Sequence, residues 1–117
     1  MNRFPDVIFY NKRLWGSGTF YTKMIDTTRC KRVILLVNIR TLTTLTATLT
    51  PQIAQDYTQS LAEANWYDLT SDALDITTTG KHIIVIDKLA SFIRFKEVIA
   101  GAGDNFTRDY IAIKEIE

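Results

Sequence analysis

The sequence predicts an all-β fold: a single antiparallel β-sandwich, jelly-roll-like or immunoglobulin-like, with an extended N-terminal arm. Three observations predict it. Sixteen threonines among 117 residues, with many Ile, Val, Tyr and Phe, favour pleated, half-buried strands. The segment Thr41 to Thr50 alternates threonine with apolar residues at a period of two. Strand-length runs then recur at roughly 8 to 12 residue spacing with turn signals between them, which fits a sandwich or barrel rather than βαβ units.

The elements follow in order. Residues 1–15 are the least patterned and read as an extended arm, leaving 16–117 as the sandwich domain. Gly16 to Ile25 is a strand entered through Gly16-Ser17-Gly18 and left through Asp26-Thr27-Thr28. Arg32 to Arg40 holds consecutive apolar residues between charged ends, the mark of a strand covered on both faces or central in a sandwich. In the Thr/Leu run the alternation slips at Thr43-Thr44, after which Leu45, Ala47 and Leu49 share one face. Pro51 to Ala64 has two readings. Thr50-Pro51 with Ile53, Tyr57 and Leu61 fits a short helix; the preferred alternative continues the strand through Ile53, with Pro51 at an edge or bulge, and makes a loop of Gln55 to Asn65.

Short strands follow at Trp66 to Leu69 and around Ile76. Lys81 to Asp87 and Ser91 to Val98 read as neighbouring antiparallel strands joined by Lys88-Leu89-Ala90. Gly101-Ala102-Gly103-Asp104-Asn105 reads as a hairpin turn before a final strand, Phe106 to Ile116. The expected core is Ile25, Val33, Leu35, Val37, Ile39, Leu45, Leu49, Trp66, Leu69, Ile83, Val85, Ile93, Phe95, Ile111 and Ile113.

Composition narrows the function classes. At 117 residues and 13.4 kDa the chain has the length of one domain, and 46% hydrophobic residues can build its core. A formal charge of +1 provides no field to draw it to nucleic acid or an anionic membrane, so neither partner is expected. One cysteine, Cys30, and one histidine, His82, exclude an internal disulfide and a zinc site of ordinary composition, and no metal or cofactor is expected. Met1 to Leu14 carries Arg3, Asp6, Lys12 and Arg13 around a short apolar run, which does not read as a secretory signal, so synthesis in the cytoplasm is expected.

Candidate chemistry is sparse. His82 lies in a strand run without a nucleophile–acid constellation and, with Ile83 and Val85 facing inward, reads as a packed or partly exposed histidine on the outward side. Cys30 sits between Arg29 and Lys31, but adjacent strand residues point to opposite faces, so it reads as a small structural residue. Asp68, Asp72 and Asp75 lack the spacing, central Gly and terminal Glu of a calcium loop. Gly101-Ala102-Gly103 lacks the third Gly and the helix of a phosphate cradle. No catalytic residue is expected, and the chain reads as a non-enzyme. Aromatics are the remaining material: Trp15, Tyr21, Tyr57, Trp66 and Tyr67 suit either a core or a binding platform.

The order of segments is itself recognisable. A Leu/Thr strand is followed by Pro51-Gln52-Ile53, a polar loop, Asn65-Trp66-Tyr67-Asp68-Leu69, then Gly80 with Lys81 to Ile86, Phe92-Ile93-Arg94-Phe95, and a Gly-x-Gly turn. Over about residues 16–117 this resembles the small β-sandwich proteins of tailed-bacteriophage virions, found as head decoration, head-fibre or tail-associated modules. Those proteins often carry a Ser-x-Asp-Gly-x-x-Trp loop; here Asp-Gly is absent and Gln55 to Asn65 is longer.

The resemblance implies a virion structural protein docked on or displayed from capsid or tail, a homo-oligomer among other virion proteins, with no catalytic residues of its own. The apolar content of residues 1–15 nominates Phe4, Val7, Ile8, Phe9, Tyr10, Leu14 and Trp15 as subunit or partner contacts. The alternative is a carbohydrate-binding or adhesin-like module that would hold a glycan on Trp15, Tyr57 or Tyr67.

Overall fold

The computed structural model describes residues 2–55 and 65–116. The all-β expectation holds: among the described residues eight strands, all pairing antiparallel, form one sheet. They are β1 (Asn2–Leu14), β2 (Gly18–Tyr21), β3 (Ile25–Asp26), β4 (Cys30–Ala54), β5 (Tyr67–Asp68), β6 (Leu74–Ile76), β7 (Gly80–Ile86) and β8 (Phe92–Ile116). A 3₁₀ turn, Thr70–Asp72, lies between β5 and β6.

The frame is the pair β4 and β8, each 25 residues long and hydrogen-bonded from Cys30↔Ile116 to Ala54↔Phe92. An extended strand of that length spans roughly 80 Å, yet the molecule measures 41 Å along its longest axis. Both strands therefore bend. The bend is written in the register, which shifts between Ile39 and Thr41 and again between Thr43 and Leu45, where Leu45 pairs with Gly101 and Thr43 with Asn105. Thr44 takes a positive φ of 55° there and Gly101 one of 119°. A Cβ on Gly103 would lie 1.6 Å from the Thr43 carbonyl oxygen, so only glycine fits that close approach.

The bend divides the sheet into two halves. One holds β1, the second half of β8, the first half of β4, and β7; the other holds β2 and β3, the first half of β8, the second half of β4, and β5 with β6. The halves face each other: Arg108 donates to Glu97 at 2.8 Å and 2.5 Å, and Tyr110 Oη to Glu97 at 2.6 Å, although all three lie on β8. Val33, Leu35, Val37 and Ile39 from one half and Leu45, Leu49, Ile93, Phe95 and Ile99 from the other join one buried cluster.

Several expectations are corrected. Gly101 to Asn105 is a kink within one strand, not a hairpin turn, because β4 stays paired on both sides of it. Lys81 to Ile86 and Ser91 to Val98 are not neighbours. β7 pairs with β4 in one half, while β8 begins in the other with its edges occupied by β4 and by β2 and β3. The expected arm is a strand: residues 2–14 pair along β8 from Asn2↔Ile116 to Leu14↔Phe106, and this backbone pairing uses up an edge that a free arm would leave open.

Ile83 and Val85 are 67% and 49% exposed, whereas Ile84 and Ile86 are buried. The parity of β7 is thus opposite to expectation, and Ile111 and Ile113 likewise yield the core to Tyr110 and Ala112. Leu69 packs on the core only in part. β4 does continue through Ala54, with Pro51 buried within it. The lost Pro51 N–H falls on the side where β5 gives way to the 3₁₀ turn and where the Pro51 carbonyl accepts from the Leu69 N–H. The helix-or-loop question over 56–64, and with it Tyr57 and Leu61, lies outside the described residues.

Candidate docking surface

Alternation along the strands gives each half an outer face, and the two outer faces differ in kind. Beyond the β2/β3 half, register places Thr19, Val98, Thr48 and Asp75 in one row, Tyr21, Lys96 and Thr50 in the next, and Arg94, Gln52 and Asp68 in a third. This face is mixed: Thr19 and Asp75 are exposed, Thr50 and Gln52 are buried, and Val98 and Tyr21 stand singly among polar neighbours. Thr48 Oγ1 donates to Asp75, Gln52 Nε2 donates to Asp68 at 2.6 Å, and the Arg94 guanidinium lies between the rings of Tyr21 and Trp66, 4.1 Å and 4.3 Å from their centroids.

The outer face of the β1/β7 half is apolar. Two rows cross its strands: Pro5, Ile113, Ile34 and Val85, then Val7, Ile111, Leu36 and Ile83. Val7, Val85 and Ile83 are exposed, and Ile34, Leu36, Ile111 and Ile113 are half-buried by their neighbours alone. A hollow of about 340 Å³ opens on this face between Leu36, Ile83, Ile111, Asp109 and Lys81. Contiguous apolar surface rimmed by polar groups marks an interaction site rather than a solvated wall.

Charged rows close both ends. At one end Glu115 accepts from Arg3 at 3.1 Å and from Arg32, and these hydrogen bonds, Arg32 first, hold its carboxyl below the usual carboxylate range. At the other, burial would raise the Asp109 carboxyl, but bonds from the Arg40 guanidinium, the Asn11 N–H and the Asn38 amide outweigh it, leaving the pKa lowered. The Arg40 guanidinium also lies 5.6 Å from the Tyr10 ring centroid. Two ion-paired rims thus frame an apolar centre, the layout of a protein–protein interface with a hydrophobic middle and polar border.

The nominated contact residues separate by face. Phe4, Val7, Tyr10 and Trp15 are exposed, while Ile8, Phe9 and Leu14 pack on the core. Phe9 meets Tyr110 with ring centroids 5.4 Å apart. Of the aromatics offered for a glycan, Trp15 stands beside a hollow of about 230 Å³ with Phe20 and carries the Arg13 guanidinium 3.6 Å from its ring centroid. Tyr67 is exposed but pairs with Ile53 at the far end of β4, so the two do not share a groove.

The remaining candidates have local roles. His82 is half-buried on the inner side of β7 with Ile84 and Ile86, opposite to the outward side the expected parity gave it, and its Nε2 meets no described partner. Burial pushes the Cys30 thiol up, away from nucleophilic thiolate character. Among the described residues no group of three His, Cys, Asp or Glu side chains is placed to hold a metal ion, and no helix is long and apolar enough to cross a membrane.

Sequence reasoning missed Ile34, Leu36, Ile83 and Val85 as surface residues. The available signal was the absence of alternation itself: Val33 to Val37 and Ile83 to Ile86 are apolar at both parities, which requires two apolar faces. No protein-family model matches the chain, and no curated protein matches it.

Proposed function

We propose that this chain is a non-enzymatic structural component of a bacteriophage virion, a β-sandwich module docked on or displayed from capsid or tail, with the apolar outer face of its β1/β7 half covered by a neighbouring protein. The asymmetry of the two outer faces carries this reading. A domain that functioned alone in water would gain nothing from leaving Ile83, Val85 and Val7 exposed beside Leu36 and Ile111, and would risk non-specific association. A module bound into a particle gains avidity from repetition, so each copy needs only a modest dry patch.

The order of half-strands supports the same class. One layer runs β1, second half of β8, first half of β4, β7; the other runs β2/β3, first half of β8, second half of β4, β6 with β5. Successive stretches of chain pass between layers, as in a jelly roll, an architecture shared by viral capsid and lectin domains. The lectin branch would use Trp15, whose exposed ring borders its own hollow; glycan binding by the purified chain, lost in Trp15→Ala, would select it.

The test of the virion reading is quantitative mass spectrometry of particles purified from cells producing the chain. A fixed copy number per particle supports it. A chain found only in the free protein pool contradicts it.

A further inference from the structure

We propose that the occupant of the apolar outer face is a second copy of this chain, packed face to face about a two-fold axis parallel to the strands. This rests on the docking reading above and adds the identity and geometry of the partner.

The pattern of the face is self-complementary. Read across β1, β8, β4 and β7, its four rows are Arg3–Glu115–Arg32–Asp87, Pro5–Ile113–Ile34–Val85, Val7–Ile111–Leu36–Ile83 and Asp109–Asn38–Lys81, with Tyr10 brought to the β1 end of the last by the Arg40 guanidinium that also pairs with Asp109. Asp87 enters as the exposed residue that continues the outward alternation of Ile83 and Val85. A two-fold along the strands reverses each row onto itself. Arg3 then meets Asp87 of the second copy, and Glu115 meets Arg32. The apolar rows meet only apolar residues, with Val7 over Ile83 and Ile111 over Leu36. In the last row Asp109 faces the Asn38 amide, and the Lys81 ammonium faces the Tyr10 ring, a cation–π pairing. The Tyr10 ring, 70% exposed, is placed to fill the hollow beside Ile83 and Lys81.

The competing two-fold, across the strands, exchanges the end rows and sets Glu115 against Asp109. That arrangement also brings Asp87 to Lys81 and the Arg3 guanidinium to the Tyr10 ring, so the two axes differ only in the inner columns. There buried Glu115 meets Asp109 instead of Arg32, and like-charge juxtaposition counts against it. The inner columns thus favour the axis along the strands. Isologous contact of this kind is the commonest symmetry of soluble oligomers. Strand and residue spacing give the face a footprint of roughly 500 Å² per copy, or about 1,000 Å² for the pair, the lower bound for a specific interface. The dimer is accordingly a concentration-dependent one.

Sedimentation equilibrium of the purified chain tests the proposal. The mass should rise from 13.4 kDa toward twice that value with concentration. The double variant Ile83→Lys/Val85→Lys alters side chains that are already exposed, so it should keep its melting temperature and stay at the single-chain mass. The axis is tested in a Cys30→Ser background by mixing Val7→Cys and Ile83→Cys chains with a short bismaleimide. The mixed adduct should exceed either self-adduct severalfold. A wild-type chain that remains at the single-chain mass throughout, a dimer that survives the double Lys variant, or a predominance of self-adducts would overturn the proposal. Failure here leaves the particle measurement to judge the virion reading separately.

Discussion

Glu97 and Arg108 lie on the same strand, eleven residues apart, and form a two-point ion pair of 2.8 Å and 2.5 Å in the core. Extended chain would separate them by about 36 Å. The pair exists because β8 folds back at Gly101 to Asn105, and it ties the two halves of the sheet together. Around Arg108 the rings of Phe9, Phe106 and Tyr110 lie within 4.5 Å to 5.7 Å of the guanidinium carbon. Removing one member of a buried pair strands the other charge, at a cost of about 3–5 kcal/mol. Arg108→Met should therefore lower the urea midpoint sharply, and Glu97→Leu/Arg108→Met should recover a large part of the loss.

Tyr110 completes that network, and its phenol is held well above its ordinary 10.0, first by burial and then by the nearby Glu97 carboxylate. The unfolded chain ionises this phenol at ordinary alkaline pH while the folded chain keeps it neutral. Its contribution is thus whole below the unfolded value and is lost as pH rises above it. Tyrosinate absorbance should show one phenol ionising only as the chain unfolds. That step should vanish in Tyr110→Phe.

The bend depends on the space at Gly103. A methyl group there would collide with the Thr43 carbonyl, whereas Ala102 is exposed beside it. Gly103→Ala should destabilise by more than about 2 kcal/mol, and Ala102→Ser should stay within about 0.5 kcal/mol of the parent. Thermal melts of the two variants measure the contrast.

Acid weakens the rims. Asp109 and Glu115 both have lowered pKa values from their bonds to Arg40, Asn11, Asn38, Arg32 and Arg3. A lowered carboxylate stabilises the fold fully above its unfolded value, 3.8 for Asp and 4.5 for Glu, and loses that contribution as pH falls through the folded one. Stability should be flat at neutral pH and decline below the usual carboxylate range. In Asp109→Asn the decline should be shallower, from a lower plateau, in denaturation series at fixed salt.

Much of this was legible in the chain. The slip at Thr43-Thr44 marks the residue that bends β4, and Leu45, Ala47 and Leu49 turn inward as that slip requires. Trp66 is buried and Tyr67 exposed, as expected, although Trp66 lies just before β5 rather than on it. Pairing was harder to read, because β7 joins β4 rather than the β8 that follows it, and short connections do not reveal a crossing between layers. Parity in β7 was illegible for a plainer reason: Ile83, Ile84, Val85 and Ile86 are all apolar, so period two selects neither face. The same ambiguity hid the candidate site, since residues apolar at both parities look like core until their neighbours are known.

The most direct measurement is a density map of the assembled particle that resolves separate strands. The account predicts protein packed against Ile34, Leu36, Ile83 and Val85, with the Thr48 and Lys96 face turned toward solvent. A particle in which that apolar face borders only solvent, or a map with no copy of the chain, would contradict it.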